Sequence, residues 1–151
     1  MTDSLNGNRS ERFEVIEYRQ IHLAEQNDSA LVIYVTRQLA ARAGFSTADE
    51  AMIATAASEL ATNIVRYAQT GDINITILKH LDTGKSGIEL YACDQGPGIQ
   101  DIEAALQEQF TTTRSSLGLG LPSVKRIMDE FFIESEIGKG TRVLARKWKV
   151  K

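Results

Sequence analysis

The chain has 151 residues, of which 42% are hydrophobic and 25% charged, a length and balance that suit one core-bearing globular domain rather than two. Its 17 Lys and Arg against 20 Asp and Glu leave a net charge of -3, which argues against the broad basic footprint of a nucleic-acid binder. The longest apolar run, Ala30 to Val35, is too short to span a bilayer, the first residues form no apolar leader, and the single Cys93 can make no intrachain disulfide. These features predict a cytoplasmic protein with no membrane or nucleic-acid partner.

Residues 1–11 are polar and expected to be disordered, leaving 12–151 as one domain. Phe13, Val15 and Tyr18 recur with near-alternating spacing, which predicts a first strand with one buried face. Asn27-Asp28-Ser29 supplies N-cap residues for a helix whose Leu31, Val35, Leu39 and Ala43 form one stripe ending at Gly44. Ser46, followed three residues later by Asp49, resembles a capping box and opens a second helix carrying Ile53, Ala57, Leu60, Ile64 and Tyr67 as far as Gly71.

Ile73, Ile75 and Ile77 alternate with polar residues, and a turn from Asp82 to Gly87 leads to Ile88, Leu90 and Ala92, predicting a hairpin. Asp101 can cap a short helix through Gln109. A Thr-, Ser- and Gly-rich stretch from Thr111 to Gly120 reads as loop before a helix with Val124, Ile127 and Met128. Phe132 to Ile137, a Gly138-Lys-Gly140 turn and Thr141 to Lys149 predict a closing hairpin. The expected fold is a two-layer α/β sandwich: a mixed, mostly antiparallel sheet with helices on one face.

Three local patterns bear chemistry, each with a plainer reading. Glu59 and Asn63 are four apart, about 40° around a helix, so two oxygen-bearing side chains share a direction at the edge of the apolar stripe; ordinary exposed polar pairs do the same. Asp94-Gln-Gly96-Pro-Gly98 follows a strand directly. Its carboxylate would be fixed at the strand end, where an acceptor-only group suits an exocyclic amine such as that of adenine, although a Gly-Pro turn can also simply end a strand. Gly118-Leu-Gly120 stands at a helix mouth, where free N–H groups attract phosphate, while Pro122 also fits plain helix initiation.

His22 and His80 have no neighbours at metal-binding spacing and read as structural or exposed. Cys93 reads as a buried strand residue rather than a redox sensor. The basic tail from Arg142 to Lys151, with Trp148 inside it, reads as a solvated strand end more than as a partner surface.

Taken in order, Glu59-xxx-Asn63, Asp94-x-Gly96-x-Gly98, Gly118-x-Gly120 and Gly140-Thr141 resemble the N, G1, G2 and final Gly-Thr boxes of the GHKL (Bergerat) ATPase/kinase superfamily. Within it, Ser58 to Ala68 and Gly120 to Phe131 are most similar to the RsbT type, the switch serine/threonine kinase of bacterial stressosomes. The resemblance implies Mg²⁺ held by Asn63 against ATP and Glu59 as general base. It also implies Asp94 on the adenine amine, Gly98 beneath the base, Thr141 closing the pocket, and Gly118 and Gly120 on the phosphates.

An ATP lid is implied over Phe110 to Leu117. Related sigma-factor-sequestering kinases tend to carry an arginine two residues before the first glycine of the G2 box, where this chain has Ser116; Arg114 lies nearby but out of register. The implied partners are STAS-domain antagonist proteins, a PP2C-type phosphatase and, in the alternative reading, a sigma factor. Residues 1–58 hold only His22 and one convincing helix, which argues against a sensor histidine kinase.

Overall fold

The computed structural model describes residues 12–107 and 120–150. The expectations for residues 1–11, the lid with Arg114 and Ser116, and Gly118 lie outside the described residues. Five strands, β1 (Phe13–Leu23), β2 (Gly71–His80), β3 (Ser86–Asp94), β4 (Glu130–Glu136) and β5 (Gly140–Trp148), form one sheet in the order β1-β2-β3-β5-β4. All four pairings are antiparallel, so the expected mostly antiparallel sheet has no parallel pair among the described residues.

The helices α1 (Asp28–Arg42), α2 (Thr47–Asn63), α3 (Ile102–Ala105) and α4 (Leu121–Ile127) complete the expected two-layer sandwich. Alternation decides which sheet face they cover. Ile73, Ile75 and Ile77 of β2, Ile88, Leu90 and Ala92 of β3, and Val143 and Ala145 of β5 join Leu39, Ile53, Leu60 and Val124 of the helices in one buried cluster. Each large aliphatic side chain buried there contributes about 1.5–3 kcal/mol relative to exposure.

Helix α2 starts as its sequence predicts: Ser46 Oγ accepts from the Asp49 N–H at 3.1 Å, and Ile53, Ala57, Leu60 and Ile64 are all buried. Its end differs. The α-helix stops at Asn63 and runs on as a π-helical turn, Ile64–Ala68, closed by Gln69 at a positive φ of 75° before Gly71 begins β2. Such widened turns occur often at functional sites.

The first strand departs from its predicted buried face, and the first helix does so only at Leu31. Val15 and Tyr18 are 47% and 53% exposed, and burial on β1 falls instead on Ile21 and Leu23. A bulge between Val15 and Glu17 shifts the register on β2, and β1 is an edge strand, so sequence alternation does not carry one face through it. On α1, Leu31 is half exposed while Val32, Thr36, Leu39 and Ala40 are buried. The rest of the predicted stripe holds, with Leu39 and Ala43 buried and Val35 packed against the core, and burial extends to Val32 and Ala40 because α1 packs against both α2 and the β1–β2 edge. Asn27 makes no side-chain cap; Asp28 Oδ2 instead accepts from the N–H groups of Ala24 and Glu25 at 2.8 and 2.9 Å. Asp101 does cap α3, accepting from the Ala104 N–H at 3.1 Å, but that helix ends at Ala105 rather than Gln109.

On the other sheet face the basic tail is partly internal. Arg146, 5% exposed, donates from Nε to the fully buried Glu89 at 2.9 Å and from Nη1 to Glu130 at 2.8 Å. Its guanidinium carbon lies 4.7 Å from the Phe13 ring centroid, and Trp148 Nε1 donates to Glu130 at 2.9 Å. This strand end is therefore a buried ionic cluster and not wholly a solvated one. His80 is structural, its Nδ1 lying 3.1 Å from the Asp82 backbone nitrogen, and His22 is exposed beside Asp72. No helix among the described residues is long and apolar enough to cross a membrane.

Candidate nucleotide site

Sheet register builds one wall of the site. Asp94 closes β3 and pairs with Thr141 at the start of β5, which in turn pairs with Ser135 of β4. The three side chains thus stand in a cross-strand row at one end of the sheet. Asp94 Oδ1 accepts from the Gly96 N–H at 2.9 Å, and the Thr141 backbone N–H also bonds this carboxylate. Burial pushes the Asp94 pKa above that of an ordinary aspartate, against the pull of those two N–H donors.

Helix α2 and its π-turn build the opposite wall. Asn63, the last α-helical residue, and Tyr67, one turn on, face Asp94, Gly98 and Thr141 across a cavity of about 60 Å³ whose floor is apolar, with Leu60, Ile64 and Val143. By a water-sized measure this is several solvent positions, bounded by a fixed carboxylate, an amide and a hydroxyl. Gly98 has φ +84°, and a Cβ there would run into the Glu136 backbone. Only glycine lets the loop after β3 pack against the β4–β5 turn in this way.

Glu59, Gly96 and Gly120 are not among the lining residues. They sit just outside: Gly96 supports Asp94, and Glu59 lies against Gly120 at the mouth of α4. Gly120 has φ +69°, and a Cβ there would collide with Glu59 Oε1. The N and G2 motifs are therefore in contact. Cys93, one residue before Asp94, points to the other sheet face. Burial raises its thiol pKa, with Arg142 pulling the other way, although the side chain is half-buried rather than buried as expected.

Among the described residues no three His, Cys, Asp or Glu side chains gather as a metal site. A hard cation such as Mg²⁺ commonly uses only one or two protein oxygen ligands beside phosphate oxygens. Asn63 on the cavity wall offers such an oxygen.

The histidine kinase-like ATPase domain family matches residues 23–147. The chain belongs to that family. A serine/threonine-protein kinase RsbT of Bacillus subtilis (strain 168) is 49% identical over 112 residues, covering 74% of this chain and 82% of the relative. An anti-sigma F factor of Thermoanaerobacter sp. (strain X514) is 33% identical over 128 residues, covering 83% and 89%. A solved structure described as full-length ShkA in complex with AMPPNP aligns at 18% identity and TM-score 0.48; it covers 91% of this chain, which spans 33% of that one. This kinase-like ATPase domain binds ATP, and the enzyme class is protein serine/threonine kinase.

Two members of the site escape the motif reading. Tyr67 is legible only as a core-stripe residue, because the π-turn that swings it to the cavity has no sequence signal. Ser135 was findable: pairing the predicted closing hairpin residue by residue about its glycine turn places it opposite Thr141.

Proposed function

We propose that this chain is a Mg-ATP-dependent kinase that phosphorylates Ser or Thr on STAS-domain antagonist or scaffold proteins in a stressosome-type partner switch, and then activates a PP2C-type phosphatase by binding it. Residues 12–151 act as one nucleotide-binding domain in this reading, in the cytoplasm. The observation that carries it is the meeting of Asn63 and Asp94 on the two walls of one cavity. The 49% identity to a kinase named RsbT supports the choice of pathway.

In this reading Asp94 accepts the adenine amine, Gly98 lies beneath the base and Thr141 closes the pocket. Asn63 holds Mg²⁺, which when bound neutralises phosphate charge. The backbone N–H groups of Gly118 and Gly120 meet the phosphates. The substrate hydroxyl oxygen bonds to the γ-phosphorus and the bond to the β,γ-bridging oxygen breaks. ADP leaves with that electron pair, and the hydroxyl proton passes to the Glu59 carboxylate. Most of the catalysis is positioning and charge neutralisation, which explains why so few side chains suffice.

The test is phosphate transfer from ATP to a STAS-domain partner in the presence of Mg²⁺. Asn63→Ala abolishes transfer, and Glu59→Gln lowers it by about 100-fold or more, the usual range for a lost general base. Full activity in Asn63→Ala removes the metal assignment; full activity in Glu59→Gln removes the base.

A second reading is sequestration of a sigma factor as the main output, favoured by the relatives named anti-sigma F factor at 33–36% identity. Stable co-purification with a sigma factor supports it, and phosphatase activation without sigma binding counts against it.

A further inference from the structure

Lys147 belongs to the basic tail, and none of the four motifs contains it. By strand alternation it follows Thr141, Val143 and Ala145 on the helix side of β5. One strand therefore carries Thr141 and Val143 at the cavity and Lys147 toward its other end. The Lys147 side chain is only 20% exposed; its Nζ donates to the carbonyl oxygen of Ile127, the last residue of α4, at 3.1 Å and lies 3.9 Å from Asp129 Oδ1.

Two further bonds complete the joint. The Asp129 N–H donates to the Arg146 carbonyl oxygen at 2.8 Å, and Asp129 Oδ2 accepts from the Trp148 N–H at 2.8 Å. Those two hold the turn after α4, whereas Lys147 holds the helix itself. The helix needs the tie. It has seven residues, too few to be stable alone, and it packs chiefly on α2, with little contact to the sheet. The Ile127 carbonyl is among the four that no residue of the helix can satisfy, and a cation at that end also complements the helix dipole.

The opposite end of α4 is the one that meets the site. Gly120 lies against Glu59, in space that a Cβ would fill, and Leu121 lines the cavity. Seven residues at 1.5 Å each put Gly120 about 10 Å from the joint, so a tilt of the short helix at its tied end displaces Gly120.

We infer that Lys147 is a positioning residue for phosphate recognition: by tying the end of α4 to β5 it holds the Gly120 N–H, beside Glu59, where the phosphates bind. The inference rests on the proposed placement of phosphate at Gly120. Recognition of the base at Asp94, Gly98 and Thr141 is built on β3, β5 and the loop between β3 and α3, and does not pass through α4. Leu121 carries any shift of α4 to the base as well, so the informative quantity is the ratio of two affinities.

The experiment compares binding of Mg-ATP and of adenosine, which lacks the phosphates, by titration calorimetry. Lys147→Met keeps the apolar stem and removes the donor and the charge. Its preference for Mg-ATP over adenosine falls by about tenfold relative to the intact protein, the size of one hydrogen bond. Hydrogen exchange checks the route: Mg-ATP slows exchange over Leu121 to Ile127 in the intact protein and does so far less in Lys147→Met.

A merely structural Lys147 weakens both ligands equally or neither, leaving the ratio unchanged, and that result overturns the inference; so does equal slowing of exchange in the two proteins. Should Lys147→Met not fold, Lys147→Gln, polar but too short to reach Ile127, must show the same fall in the ratio. Adenosine bound as tightly as Mg-ATP by the intact protein also overturns it, while leaving the base site standing. Failure of the intact protein to bind either ligand instead removes the site reading on which the inference is built.

Discussion

The carboxylate of Glu59 on α2 rests against the backbone of Gly120 at the start of α4, in space that a Cβ would fill. Two segments 61 positions apart in sequence are thus set side by side, with Asn63 one helical turn from Glu59 on the same side of α2. The contact explains why the residue before α4 is glycine, beyond its left-handed φ of +69°.

Gly120→Ala therefore acts on chemistry as well as on folding. The left-handed conformation costs an alanine about 1–2 kcal/mol, and the new methyl displaces the Glu59 carboxylate. We expect phosphate transfer to fall at least tenfold while thermal unfolding shows a loss of about that stability. Unchanged transfer in the folded variant contradicts the placement of Glu59.

Asp94 predicts two pH effects of opposite sign. Burial raises its pKa in the folded protein above that of an ordinary aspartate, so the folded state holds this proton more tightly than the unfolded state does. The stability it contributes is present below the unfolded pKa and is lost as pH rises through the raised, folded value. Nucleotide binding requires the ionised acceptor and strengthens over the same interval. Half-buried Glu17 and Asp28 have lowered pKa values, through Arg42 and through the N–H groups of Ala24 and Glu25, and bias overall stability the other way. The difference between the intact protein and Asp94→Asn isolates the effect: in denaturant titrations the intact protein loses stability relative to the variant as pH rises through this interval.

The buried cluster on the far sheet face is a stability element separate from the nucleotide site. Arg146→Met leaves the fully buried Glu89 without the guanidinium at 2.9 Å, and breaking such a pair from one side costs about 3–5 kcal/mol. Chemical denaturation should show that loss. Replacing both partners together with apolar residues should recover much of it.

Ser46→Ala removes the one side-chain bond that caps α2, and the expected loss is about 1 kcal/mol. Because the cap lies at the opposite end of α2 from Asn63, ATP affinity should stay within about twofold at temperatures where the variant is folded.

Legibility from sequence followed the physics of each element. Where one side of a segment faces a continuous core, as along β2, β3 and α2, hydrophobic spacing identified the element and its buried residues. It failed on β1, whose bulge breaks the alternation, and at the start of α1, where Leu31 lies outward while Val35, Leu39 and Ala43 meet the core as spaced. The motifs located Asp94 and Asn63, but no local pattern reveals that they face each other, because that depends on the register of β3 on β5 and on the crossing of α2 over the sheet. Tyr67 depends on a π-turn that propensity does not encode. The buried role of Arg146 was masked by its place in a run of basic residues, where charge alone suggests solvent.

The central claim is that the cavity between Asn63 and Asp94 is the ATP site. The most direct measurement is calorimetric titration of Mg-ATP into the intact protein and into Asp94→Asn near neutral pH, with unfolding curves to confirm that both are folded. An asparagine can turn a donor toward the adenine amine and keeps no charge, so the account predicts at least a tenfold loss of affinity with no loss of stability. Equal ATP affinity in the two folded proteins would contradict it.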